Sequence, residues 1–245
     1  MKRSDDVTLL SRGKHNAGFS ILLGLATILV ILACAFSVVL ILLFSPSFYA
    51  SIHEKMGTAD LLNLAPNQIE RLVDSIIRYY SFQSNHLQTE AVFKDGMIGN
   101  FFTPDELVHM AEVNGVFLGL MILTPIFVIF TIMIVLSTFL VNKNNGLSRK
   151  TLARGTFFGS VIFAAFMVIL GLWVLIDFYS VFQIMHDIIF PKGGYTFTSK
   201  LIVLLPTELF NAAGVIIVAT TITITLILLV LGALGIFYKR KTIVE

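Results

Sequence analysis

Cysteine is almost missing from this sequence. Cys34 is the only one in 245 residues, so no disulfide can staple two segments of one chain together. It sits inside an apolar run, where a lone thiol acts as a small apolar side chain. Charge is scarce as well. Only 13% of the residues are Asp, Glu, Lys or Arg, against the ~25% usual in a soluble domain. The net charge of +2 gives no basic excess of the kind that holds nucleic acid. Two catalytic signatures are also missing. There is no HExxH zinc-protease helix and no GxSxG nucleophile elbow.

What the sequence does have is hydrophobic residues, 56% of the total. They cluster in four runs: Phe19–Phe44, Val113–Val141, Gly155–Ile176 and Leu209–Tyr238. Each reaches the ~20 residues a helix needs to cross ~30 Å of hydrocarbon. None contains Asp, Glu, Lys, Arg or His. They predict an all-α membrane protein with transmembrane helices at 19–45, 113–141, 155–176 and 209–238. The first run follows basic residues, as a signal peptide does, and Ile31-Leu32-Ala33 precedes Cys34 as in a lipoprotein cleavage box. The run nevertheless continues to Phe44, too long for a signal core of ~7–15 residues. The expectation is a retained first helix.

Four spans put both termini on one side. That side, made of residues 1–18, 142–154 and 239–245, holds eleven of the seventeen Lys and Arg residues. The other side, residues 46–112 and 177–208, holds six. The positive-inside bias places the termini in the cytoplasm of a cell membrane. The two longer segments form an extracytoplasmic cap. Structureless loops beyond ~12–15 residues are uncommon and often functional, so the cap is where function is expected.

The first cap segment contains a helical stripe. Ile69, Leu72, Val73, Ile76, Ile77 and Tyr80 recur at helical spacing. Arg71, Asp74, Ser75 and Arg78 fall on the opposite face. The polar face is not strongly basic, which favours packing within the cap over lying on lipid. Residues 81–102 read as loop. Thr103, Pro104 and Glu106 then form a helix start with a T-x-x-E capping box. No breaker separates that start from the second span. The third span likewise meets no stop before Phe190-Pro191-Lys192-Gly193-Gly194. Both spans are expected to project as continuous helices.

Four of the five histidines fall in the cap: His53, His86, His109 and His186. For any one of them the plain expectation is a hydrogen-bonded or surface side chain. His109 and His186 differ from the others. They stand 34 and 32 residues from the anchors Lys143 and Arg154, about 50 Å along a continuous helix. A short turn joins the two helices, so they are antiparallel neighbours with histidines at matching height. Glu112 lies at i+3 from His109, on the same face. Asp187 adjoins His186 and is the weaker partner, because consecutive helical residues diverge. Carboxylates beside imidazoles fix the tautomer and raise basicity. Three chemistries remain open: zinc held by His109, Glu112 and His186, a Ser–His hydrolase, or a two-histidine acid–base pair with no protein nucleophile.

Three motifs resemble those of one family. ELVHMAEV matches E-x-x-H-M-x-D-V at the second span. MHDIIFPKGGYTF resembles F-H-x-x-F-F-P-x-G-x-W-x-F after the third. LIVLLPTELF resembles L-I-x-L-F-P-E-x-F before the fourth. Their order and spacing resemble the four-helix lipoprotein intramolecular transacylase family of Gram-positive bacteria. Among the departures, Glu112, Ile189 and Tyr195 stand where that pattern has Asp, Phe and Trp. The resemblance implies transfer of the sn-2 acyl chain of a diacylglyceryl-modified lipoprotein to its free N-terminal cysteine amine, giving the lyso-form. It implies His109 and His186 as the catalytic pair, with Glu112, Asp187 and Tyr195 in support. It implies membrane lipid and lipoprotein as partners, and neither a cofactor nor a metal. A membrane lipid esterase or acyltransferase with another acceptor, or a non-enzymatic lipoprotein-binding scaffold, are the alternatives.

Overall fold

The computed structural model describes residues 2–141, 149–190 and 198–237. It describes side chains from residue 17 onward, except at positions 174, 175, 178, 179, 182 and 186. Among the described residues the chain is mainly helical. Four helices are long and apolar enough to cross a membrane: α1 (Lys2–Leu43), α5 (Pro104–Val141), α6 (Arg149–Ile176) and α9 (Thr207–Phe237). Many of their large apolar side chains are exposed, among them Ile129, Met133, Ile162, Ile169 and Leu231. Such a surface is stable only against hydrocarbon. This is a multi-pass membrane protein, a four-helix bundle with a mainly helical cap.

The chain forms two compact units. The first comprises residues 1–35, 123–178 and 219–245. Close backbone approach holds it together. A Cβ on Gly159 would fall 2.5 Å from the carbonyl oxygen of Gly24, and one on Gly155 would fall 2.8 Å from that of Ser20. A Cβ on Gly232 would meet the Phe157 backbone at 2.7 Å. Within lipid, packing of small residues is a main source of helix association. Gly159 is therefore a packing residue, whereas a Cβ on Gly115 or Gly119 would meet nothing within 4 Å.

The second unit comprises residues 36–122 and 179–218. It contains α2 (Pro46–Met56), α3 (Thr58–Leu61), α4 (Gln68–Tyr80), the strands β1 (Glu90–Val92) and β2 (Ile98–Asn100), and α8 (Ser199–Leu204). Its core gathers Leu64, Leu72, Ile76, Tyr80, Phe101, Met110 and Leu204. The stripe read from 69–80 is α4, and it packs within the cap as expected: Leu72, Val73, Ile76 and Tyr80 are all buried. Ser75 is buried as well, against the expectation of a polar face. Its Oγ accepts the Gln88 N–H at 2.7 Å, which satisfies the hydroxyl.

Two expectations are corrected. Residues 81–102 are not all loop, because β1 and β2 pair antiparallel with Ala91 opposite Gly99. Gly96, at φ +83°, supplies the left-handed residue of their turn. The third span is not one helix up to Phe190. It stops at Ile176, and after Asp177 a separate α7 runs from Phe178 to Ile189. Asp is disfavoured inside helices and favoured just before one, because its side chain competes for backbone N–H groups. A height for His186 counted along one unbroken helix from Arg154 therefore no longer holds. The helix predicted to start at 104 does start there, and it continues through Pro125 to Val141.

Candidate active site

The first turn of α5 builds the site. Thr103 Oγ1 accepts the Glu106 N–H at 3.3 Å, and Glu106 Oε2 accepts the Thr103 N–H at 2.9 Å. That is the capping box read from the sequence. The other oxygen, Oε1, does something the sequence does not reveal. It accepts the N–H of Thr198 at 2.7 Å and its hydroxyl at 2.6 Å. Glu106 is fully buried, with 0% exposure. A carboxylate removed from water needs such donors on both oxygens.

One turn along, His109 is half-buried and its Nδ1 is a buried atom. The His109 ring packs against Phe190, with centroids 4.9 Å apart and planes inclined at 54°. Phe190 follows directly on α7. His186 lies on α7 four residues before Phe190, one helical turn away, and its side chain is outside the described residues. Glu112 is half-buried with Oε2 inside, on the His109 face of α5. Asp187 is exposed. Tyr195 lies outside the described residues. The second motif thus meets the first through Phe190, and Thr198, the residue just past that motif, bonds to Glu106; neither is among the site residues expected from the sequence.

The remaining cap histidines stand apart from this contact. His53 is buried in the last turn of α2, with Nδ1 3.1 Å from Thr58 Oγ1, and stacks on Tyr49 at 6.5 Å. Burial pushes its pKa below the ordinary histidine value. The same desolvation raises Tyr49 to about 12. His86 is exposed and lines a cavity of about 280 Å³ with Tyr79, Asn85, Leu87, Thr89 and Leu107.

Four spans, a helical cap and a histidine-bearing helix start bonded to the segment before the last span define a class of small integral membrane proteins. The chain belongs to the lipoprotein intramolecular transacylase Lit family, whose description matches residues 21–210. Three solved structures of the membrane-integral transacylase Lit from Bacillus cereus share the fold. One carries a histidine-to-arginine substitution. It superposes with a TM-score of 0.66 at 17% identity, covering 95% of this chain and 96% of that one. A second, with a histidine-to-alanine substitution, gives 0.65 at 18% identity over 92% and 96%. The third gives 0.63 at 19% identity over 91% and 97%. No curated protein matches the sequence.

Proposed function

We propose that this protein is a lipoprotein intramolecular transacylase using His109 and His186 as an acid–base pair. Its substrate is a diacylglyceryl-modified lipoprotein with a free N-terminal cysteine amine. The observation that carries the reading is the contact of His109 with Phe190. It brings the first histidine motif against the end of the helix that bears the second.

The chemistry follows from the substrate. An α-amine has a pKa of about 7.7–8.0 and attacks only when it is neutral. Imidazole, with an ordinary pKa near 6.5, accepts the proton the nitrogen sheds as it bonds to the ester carbon. The carbonyl oxygen becomes an oxyanion, which a donor must stabilise. On collapse the C–O bond to glycerol breaks, and the leaving oxygen takes a proton from the second imidazole. An ester and an amine become an amide and an alcohol, with no net gain or loss of protons. Donor and acceptor share one molecule, so placing the lipid head supplies much of the rate. Glu112 supports His109, and Asp187 and Tyr195 support the second motif. The positive-inside bias puts both termini in the cytoplasm and this chemistry on the outer face of the membrane.

Expression in a bacterium that lacks lipoprotein N-acylation, followed by mass spectrometry of lipoprotein N-terminal peptides, tests the reading. The expected product is N-acylated and S-monoacylglyceryl-modified. Lipoproteins that keep both glycerol-linked chains and a free amine refute it.

A further inference from the structure

Glu106 is buried more deeply than a capping residue needs. A capping box uses one carboxylate oxygen and works well at a solvent-exposed helix end. Here the side chain is at 0% exposure, and its second oxygen takes two donors from a residue 92 positions away. Thr198 is itself the N-cap of α8, yet it makes no side-chain cap bond there. Its hydroxyl donates to Glu106 instead. Beyond this pair, Leu201 and Leu204 of α8 enter the same core as Met110 of α5. Glu106, His109 and Met110 stand at i, i+3 and i+4, on one face of α5.

We propose that Glu106 is a positioning residue for His109. By clamping the start of α8 to the first turn of α5, its carboxylate fixes the rotation of α5 about its own axis. That rotation sets where the His109 ring is presented, one turn further on. Cap and clamp use different oxygens, so they separate by mutation. Thr103→Ala removes the hydroxyl that caps the Glu106 N–H and keeps the Thr103 N–H and both Thr198 donors on the carboxylate. Thr198→Val removes only a hydroxyl from the clamp, at nearly constant volume. Glu106→Gln replaces one acceptor oxygen with an NH2 group that has to face an N–H or hydroxyl donor.

The proposal rests on the transacylase reading, and the test separates the two. Full-length wild type and variants are reconstituted in vesicles with diacylglyceryl lipopeptide, and kcat, KM and the thermal unfolding midpoint are measured for each. A misplacement of about 1 Å costs up to 100-fold in rate. Thr198→Val is therefore expected to lower the midpoint through the lost bond to a buried carboxylate, and, well below that midpoint, to lose roughly tenfold or more in kcat with little change in KM. Thr103→Ala is expected to lower the midpoint and keep kcat. Glu106→Gln with Thr198→Val is expected to be no slower than Glu106→Gln alone. Wild-type kcat in Thr198→Val overturns the positioning role. So does a loss of kcat across all three variants in proportion to their loss of stability. An inactive wild type overturns the transacylase reading, and the positioning role with it.

Discussion

The ring of His109 on α5 lies 4.9 Å from that of Phe190, the residue just after α7. Two residues 81 positions apart in sequence thus bring their motifs together through a pair of rings. Such pairs contribute roughly 0.5–1.5 kcal/mol beyond their buried area. Phe190→Ala is expected to slow acyl transfer by about 2- to 12-fold, with normal protein level in the membrane. Phe190→Tyr keeps the ring and is expected to stay near wild type. Initial rates in proteoliposomes check both.

Gly159 makes a different kind of prediction, one about stability. A Cβ there would come within 2.5 Å of Gly24 O and 3.0 Å of its Cα, both backbone atoms that cannot turn aside. Gly159→Val is expected to cost about 1–3 kcal/mol. Gly119→Ala, where a Cβ meets nothing within 4 Å, is expected to change stability little. Unfolding midpoints of the purified proteins in detergent compare the two.

His53 gives the cap a dependence on pH. Its pKa is lowered in the folded state by burial, so below the ordinary value of about 6.5 the unfolded chain binds a proton the folded one refuses. The stability tied to neutral His53 is complete above that pH and is lost as pH falls through it toward the folded value. His53→Gln keeps a polar partner for Thr58 and removes the titration. The wild-type midpoint is expected to fall more between pH 7.5 and 5.5 than that of the variant. Parallel slopes would remove His53 as the cause.

Local signals were legible in the sequence, and long-range ones were not. The stripe from Ile69 to Tyr80 spans three turns, enough for a period to show. The capping box of Thr103 and Glu106 lies within one turn. The hairpin did not show, because strands of three residues are too short for alternation to register. The break at Asp177 was hidden by the apolar residues Ile176 and Phe178 on either side of it. At the site, the histidine motifs could be read, whereas the partner of Glu106 could not. Nothing local to Glu106 points to Thr198, and that pairing exists only once α8 has packed into the core.

The central claim is that the sn-2 acyl chain moves from glycerol oxygen to the cysteine α-amine under the action of His109 and His186. A lipopeptide carrying an isotope-labelled sn-2 chain tests this most directly, with mass spectrometry locating the label after incubation with the full-length protein. The account predicts label on the cysteine α-amine, and loss of that transfer by about 10²–10⁴-fold in both His109→Ala and His186→Ala. Label left on glycerol, label released as free fatty acid, or full transfer in either variant would contradict it.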